Sequence, residues 1–309
     1  MCLSVVFLGT AGSVPTLRRN LPAVLVKRKG ELVMFDCGEG VQRQMMKAKT
    51  GFCKKMKILV SHMHGDHVLG LPGLLQTMAL LDRERKLEVY GPSGMKRFLE
   101  AIEDSLQFVL TFPVEIYEIE KAGIVCDEEE YALEALWSSH VIPSLAYALI
   151  EKPRPGKFYP EKALILGIPE GPLWSKLQQG QEVELTSGQV IRPEQVLGAS
   201  RAGRKVVYTG DTKSFEGLVE FAADADLLIH DATFADELAE KAGKDGHSTP
   251  SQAAKAAQQA RVRQLILTHI SARYEDPCIL QEQAQRIFRN TKMAEDFMEI
   301  EIPFRKAKN

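Results

Sequence analysis

Short apolar runs alternate with stretches of helical periodicity along the chain. Residues 4–10 (SVVFLGT), 23–38 (AVLVKRKGELVMFDCG) and 57–62 (KILVSH) are rich in branched apolar residues and punctuated by glycine. They are predicted as strands, the middle run folding into a hairpin around Lys29-Gly30. Residues 73–81 and 94–106 then carry helical spacing, with Met95, Phe98, Leu99, Ile102 and Leu106 on one face of the second. A later set of strands is predicted at 132–140, 145–151, 205–211, 227–232 and 264–269. Thr249-Pro250-Ser251-Gln252 reads as a capping box with proline at the first helical position, opening an alanine-rich helix that ends near Ala260. Two strand-rich halves with helices outside predict an α/β fold, a four-layer αββα sandwich.

One window breaks the alternation. Glu151 to Gly180 holds five of the 15 prolines and sets Phe158, Tyr159 and Trp174 among lysines. It is read as an inserted, flexible arm on a single domain spanning residues 1–309, because a long stretch with little regular structure is usually a functional excursion. Composition otherwise is ordinary: 45% hydrophobic and 26% charged residues disfavour disorder, a collagenous chain and a coiled coil. With 39 basic and 41 acidic residues the net charge is -2, so no global field points to nucleic acid. Any such partner must be held by local patches, which occur at Arg18-Arg19, Lys27 to Lys29, Lys54 to Lys57, Arg201 to Lys205 and Arg305 to Lys308. Five cysteines without a C-x-x-C pair suit free thiols in a reducing compartment. No apolar run is long enough to span a membrane and the start lacks a basic leader, so a soluble, cytoplasmic chain is expected.

The chemistry concentrates in His62-Met63-His64-Gly65-Asp66-His67, directly after a predicted strand. Four candidate ligands within six residues face one point only if the chain turns, and Gly65 is expected to supply the turn. Imidazoles and carboxylates without thiolate suit Zn²⁺ first, and Mn²⁺ or Fe²⁺ less well. His140, Asp211 and His269 each close a predicted strand. Taken alone, such a histidine is an ordinary surface or core residue, but layered α/β folds gather their sites at strand ends, so the three converge on the first cluster. Asp211 is the carboxylate best placed to bridge two metals about 3.5–4 Å apart.

The H-x-H-x-D-H motif with later His, Asp and His resembles the metallo-β-lactamase superfamily. Within it the chain is similar to the ribonuclease Z family over essentially its whole length, through FLGTAGSVPTLRRN, FDCGEGVQRQM, HMHGDHVLGLPGLL, RPGKFYPEKALILGIPEGPLWSKLQQG, GRKVVYTGDT, LLIHDATF, GHSTPSQAA, LTHISARY and AEDFMEIEIP. The resemblance implies two Zn²⁺ per subunit, one on His62, His64, His140 and Asp211 and the other on Asp66, His67, Asp211 and His269. It implies an endoribonuclease that removes the 3′ trailer from precursor tRNA by metal-activated hydroxide attack, leaving a tRNA 3′-hydroxyl and a 5′-phosphate on the trailer. Asp66 would accept the proton of the attacking water. His247, beside the capped helix at Pro250, would protonate the leaving oxygen, with Asp231 orienting it and raising its pKa. The family more often has glutamate where this chain has Asp231. His230 is read as structural, and Asp36 as a partner of a ligand histidine.

The arm resembles the tRNA-binding exosite of the family. Lys152, Arg154, Lys157, Lys162 and Lys176 stand against Glu151, Glu161 and Glu170, and Gly171-Pro172 offers backbone that can approach phosphates. Arg18 and Asn20 in the loop before residue 21, and Ser271 and Arg273 after His269, are further substrate-binding candidates. The family implies a homodimer, in which one subunit's arm serves the other's site. Two rivals stand beside this reading: another hydrolase on the same scaffold, against which the arm and GHSTP argue, and a non-catalytic RNA-binding module, against which the complete set of seven candidate ligands argues.

Overall fold

A computed structural model describes residues 3–305. Cys2 and, in the basic end, Lys306 and Lys308 lie outside the described residues. Where a single domain is expected, the chain divides into two compact units. The larger takes the chain up to Glu128, then Ala132–Ile150 and Lys205–Pro303; the smaller takes Glu129–Tyr131, Glu151–Arg204 and the chain from Phe304 onward.

The larger unit is built on two seven-stranded sheets. The first runs in the order Glu299–Glu301, Leu3–Gly9, Ala23–Arg28, Glu31–Phe35, Met56–Leu59, Leu87–Gly91, Val114–Glu118. The second runs Thr291–Met293, Leu265–Thr268, Leu227–Asp231, Lys205–Tyr208, Leu145–Glu151, Tyr131–Trp137, Gly123–Asp127. Both faces of the central strands are covered, which is why they read as continuous apolar runs. Leu32 and Met34 point into a cluster with Val41, Met45, Leu71, Leu74 and Met78 of the outer helices. The neighbouring Phe35 points the other way and stacks on Tyr147 and Tyr208 of the second sheet, at centroid separations of 6.2 and 5.4 Å. The second sheet turns Leu228, Leu265 and Leu267 toward Ala253, Ala254, Ala257 and Leu280 of its own helices. Helices, sheet, sheet and helices give the four layers expected.

The hairpin turn lies at Lys29 and Gly30, both with positive φ (46° and 84°), the backbone of a tight two-residue turn matched to strand twist. The capping box forms as expected: Thr249 N–H donates to Gln252 Oε1 at 2.9 Å, and Gln252 N–H to Thr249 Oγ1 at 3.4 Å. Three expectations shift. The helix expected from residue 73 spans Gly70–Leu80. The strand expected to reach residue 140 ends at Trp137, so His140 lies in the following loop. Val114–Glu118 and Gly123–Asp127, unmarked in the sequence pattern, are sheet-edge strands with half-buried and exposed positions and so lack a strong apolar signal.

The excursion departs from its expected bounds of 151–180: it continues to Arg204 and carries regular structure. Its stem is an antiparallel ribbon in which Glu151, Arg154, Lys157 and Tyr159 bond to Arg204, Arg201, Gly198 and Val196 through the backbone. Beyond the stem come helices Pro160–Ile165 and Pro172–Gln178 and a short hairpin, Val183–Glu184 with Val190–Ile191. These close on a small core of Ala163, Ile168, Leu177, Val183, Ile191 and Val196. The ribbon pairs residues more than 35 apart along the chain, through proline- and glycine-rich segments that carry no alternating pattern.

Candidate metal and catalytic site

Parallel pairing joins Glu31–Phe35, Met56–Leu59 and Leu87–Gly91 in one sheet and Lys205–Tyr208, Leu227–Asp231 and Leu265–Thr268 in the other. Their carboxyl ends carry Asp36, His62, Asp211, Asp231 and His269, the place where open α/β sheets assemble sites. Two of these residues hold left-handed backbone, Asp36 at φ 58° and His269 at φ 61°. Asp and His tolerate that region better than most residues, and such strain marks functional sites. Gly65 does not supply the turn expected of it, since it has no positive φ; the chain turns as extended His64 passes into the short helix Gly65–Val68. Cys37 pins that loop, its N–H donating to the carbonyl of His67 and its carbonyl accepting from Gly70 N–H.

All seven candidate ligands meet in the larger unit. His62, His64, His140 and Asp211 present ligand atoms to one point: His62 Nε2 is 3.0 Å from His64 Nδ1 and 3.7 Å from Asp211 Oδ2, and His140 Nε2 is 3.4 Å from His64 Nδ1. Beside them, His67 Nε2 is 3.4 Å from Asp66 Oδ2 and from Asp211 Oδ2, and 3.3 Å from His269 Nε2. His269 Nε2 is 3.4 Å from Asp66 Oδ2 and 3.3 Å from Asp211 Oδ2. Neighbouring ligands placed 2.0–2.1 Å from a tetrahedral zinc are separated by about 3.3–3.4 Å, so these five spacings match that edge. Asp211 borders both groups. It is buried, and its Oδ1 has no hydrogen-bond partner among the described residues. An unpartnered buried carboxylate oxygen between two histidine sets fits a divalent cation.

The outer atoms of the histidines are fixed by hydrogen bonds. His67 Nδ1–H donates to Asp36 Oδ2 at 2.7 Å, and that carboxylate also accepts from Ser61 and from Tyr208 Oη. His140 Nδ1–H donates to the Gly246 carbonyl at 2.8 Å, and His269 Nδ1–H to Thr233 Oγ1 at 2.8 Å. Each Nε2 is thereby left free to face a cation. Gly12 runs so close that a Cβ there would stand 2.7 Å from His269 Nδ1. Ser13 N–H donates to Asp66 Oδ2 at 2.9 Å. Burial lowers the pKa of His62, assisted by the charge of His67. Burial raises that of Asp66, but hydrogen bonds from His269 and His67 overcome it and hold the carboxyl far below the usual range.

His247 stands against this centre, its ring 5.2 Å from those of His140 and His269. Its Nδ1–H donates to Asp231 Oδ2 at 2.9 Å, so the aspartate makes direct contact. Burial opposes the imidazolium, but the Asp231 charge and hydrogen bond prevail and raise its pKa to about 9. Although Asp231 and His247 lie near enough to Asp211 and His269 to form a further donor group, the Asp231 oxygens are already taken. Oδ1 accepts from Thr233 N–H and Oγ1–H, and Oδ2 from Thr212 N–H and His247. His230 is buried on the next position of the strand, its Nδ1–H donating to the Asp231 carbonyl at 2.8 Å.

The substrate-binding candidates divide. Arg273 is exposed, with its guanidinium 4.7 Å from the Phe234 ring, which in turn meets His247 edge-on at 5.9 Å; its Nε–H donates to Ser271 Oγ. Arg18 is exposed on the loop whose base holds Ser13. Asn20 is committed to the chain, Nδ2–H donating to the Glu39 carbonyl at 2.9 Å. Arg154, Lys157, Gly171 and Pro172 belong to the smaller unit, where Lys157, Gly171 and Pro172 are exposed and Arg154 packs on Phe304. Sequence reasoning missed Thr233, Ser61 and Tyr208, hydroxyls that no motif of metal-ligand spacing flags. Glu88, Cys126 and Glu128 also approach one another, but the Lys57 ammonium already pairs with Glu88 and lies 2.8 Å from Glu128.

A beta-lactamase superfamily domain matches residues 171–270, and the anti-Pycsar protein Apyc1 model matches residues 3–115. The chain is 51% identical over 305 residues to a ribonuclease Z from Methanosarcina acetivorans, covering 98% of this chain and 99% of that one. The chain belongs to the ribonuclease Z family. A Haloferax volcanii ribonuclease Z is 47% identical across 98% of this chain and 96% of its own length. Among solved structures, the short form of human tRNase Z superposes with a TM-score of 0.73 at 30% identity, covering 97% of this chain and all of that one. The four layers are thus those of the metallo-β-lactamase fold, and the His/Asp groups between the strand ends offer ligand sets that suit divalent cations.

Proposed function

We propose that this chain is a zinc-dependent endoribonuclease that cuts the 3′ trailer from precursor tRNA, leaving a 3′-hydroxyl on the tRNA and a 5′-phosphate on the trailer. The observation that carries the reading is the two His/Asp groups, His62, His64, His140 and Asp211 in one and Asp66, His67 and His269 in the other, with Asp211 Oδ2 3.3–3.4 Å from His67 and His269 and the His247–Asp231 couple against them. His62, His64, His140 and Asp211 would hold one ion and Asp66, His67, Asp211 and His269 the other. Two such ions supply Lewis acidity, neutralising phosphate charge and bringing a water toward ionisation near neutral pH. Asp66, kept ionised, accepts that water's proton as attack begins. His247, kept protonated by Asp231, presents its other ring nitrogen to the leaving 3′-oxygen, a poor leaving group unless it gains a proton. Arg273 and Arg18 meet the flanking phosphates, while Asn20 shapes the loop.

The excursion supplies tRNA binding. Within residues 151–204, eight lysines and arginines stand against six glutamates, and the exposed Lys157, Lys162 and Lys176 with the Gly171-Pro172 backbone suit a phosphate surface read by shape. A homodimer in the cytoplasm completes the proposal, resting on family resemblance. Among the described residues no helix is long and apolar enough to cross a membrane. The deciding experiment incubates the protein with a 3′-extended tRNA transcript and maps the cut. A single cut at the trailer junction, abolished by chelator and restored by Zn²⁺, is expected; no cut, or one indifferent to chelator, overturns the reading.

A further inference from the structure

We infer that Phe304 is a positioning residue that holds the stem of the excursion closed, so that the helices and hairpin beyond the stem engage RNA as an ordered body; this rests on the reading that the excursion binds tRNA. The stem is a two-stranded ribbon, and an isolated ribbon of this kind is marginal in water. Its strands approach closely: a Cβ on Gly156 would fall 1.9 Å from the Gly198 carbonyl oxygen, and one on Gly203 1.9 Å from that of Glu151. Only glycine fits at these two positions, so they contribute no side chain to the faces of the ribbon, and its cover comes from elsewhere. At its root, where the chain enters and leaves, Arg204 grips Glu151 through two parallel bonds, Nε–H to Oε2 at 2.7 Å and Nη2–H to Oε1 at 2.8 Å, both side chains being almost fully buried. The cover comes from the other end of the sequence. The Phe304 ring lies 3.8 Å from the Arg204 guanidinium carbon and 3.2 Å from that of Arg154.

Arg204 and Arg154 stand on opposite strands of the ribbon, Arg154 pairing with Arg201 through reciprocal backbone bonds. One aromatic ring therefore ties both strands, and guanidinium–aromatic stacking is favourable because the π face attracts a weakly hydrated planar cation. This also reassigns Arg154, expected to meet RNA: its guanidinium is committed to Phe304. Without the ring the ribbon frays, and tRNA must order it again on binding, which raises KM while leaving the chemical step alone.

The test measures kcat and KM on a 3′-extended tRNA, kcat/KM on bis(p-nitrophenyl) phosphate, and the rate of proteolysis within residues 152–203, all on the metal-loaded protein. Phe304→Ala is expected to raise tRNA KM about three- to tenfold, the worth of one or two guanidinium–aromatic contacts, with kcat and diester hydrolysis unchanged and proteolysis faster. Phe304→Trp restores all values, and Phe304→Leu, which keeps apolar bulk without the ring, does not. A Lys157→Ala, Lys162→Ala, Lys176→Ala variant reports on the tRNA reading itself. If it raises KM while Phe304→Ala matches the wild type in KM and proteolysis, the clamp is wrong and the tRNA reading stands. If neither variant moves KM, the tRNA reading fails and takes the proposed role with it.

Discussion

Removing one hydroxyl tests how the two halves of the catalytic site are joined. Thr233 Oγ1–H donates to Asp231 Oδ1 at 2.6 Å and accepts from His269 Nδ1–H at 2.8 Å, so a single side chain orients a candidate ligand and the carboxylate behind His247. Thr233→Val keeps the shape and deletes both bonds. Asp231 Oδ1 retains Thr233 N–H at 2.9 Å, so its loss is small, about 0.5–1.5 kcal/mol. His269 has no such reserve: its buried Nδ1–H is left without an acceptor, about 1–3 kcal/mol. A combined fall in stability of about 1.5–4.5 kcal/mol is expected in denaturant titrations of the metal-loaded protein. The weakened hold on His269 should also cost about 10- to 100-fold in metal affinity or in kcat/KM, read by chelator competition and by kinetics on 3′-extended tRNA. Thr233→Ser restores both. A Thr233→Val protein with wild-type stability, metal affinity and kcat/KM would refute the coupling, since it would mean that the buried Nδ1–H loses nothing with its acceptor.

Two further substitutions probe the proton donor. His247→Ala should lower kcat on precursor tRNA by about 10²–10⁴ with metal content unchanged, because His247 donates through Nδ1 to Asp231 and is not among the seven candidate ligands; loss of metal in this variant would reassign it as a ligand. Asp231→Glu, although it installs the residue commoner in the family, should reduce both stability and kcat. The Asp231 side chain is fully buried with four donors already in place, and an added methylene in such a site costs about 1–3 kcal/mol; wild-type melting and kcat in this variant would refute the argument.

The sequence makes the candidate ligands legible for a physical reason. Parallel strands buried on both faces read as unbroken apolar runs, so a histidine or aspartate closing such a run stands out against it, as at Asp211 and His269. His140 lies in the loop after Trp137 and not on the strand predicted to carry it, because the polar Ser138-Ser139 pair gives no sharp signal of where that strand stops. Thr233 is invisible in the sequence: a threonine beside Ala232 and Phe234 has no feature that distinguishes a buried relay from a surface residue until the chain leaving the strand at Asp231 brings it under His269. The excursion failed differently. Its aromatic and proline-rich opening was plain at Glu151, yet its closure at Arg204 depends on an ion pair spanning fifty-three positions, which no local periodicity encodes. The ring that covers the root lies farther still, at Phe304.

Asp211 shows why the cation belongs to the fold as well as to the reaction. A buried carboxylate is stable as an ion only when charge or hydrogen bonds replace its lost hydration. Asp36, equally buried, satisfies that condition with Ser61, Tyr208 and His67 around its two oxygens. Asp231 satisfies it with two backbone N–H groups, a hydroxyl and an imidazole. Asp211 has only imidazole nitrogens at 3.3 to 3.9 Å from one oxygen and no partner on the other. His67, His140 and His269 turn their Nε2 atoms inward because Asp36, Gly246 and Thr233 occupy their Nδ1 positions. Burial raises the pKa of Asp211, but the charges of His269 and His67 overcome it and hold the carboxyl well below the usual range, so that, without an ion, positive charge on the imidazoles takes the place that a divalent ion would fill. A divalent ion bound there would displace those protons, so its binding would be linked to pH and would contribute to the stability of the strand ends that hold it.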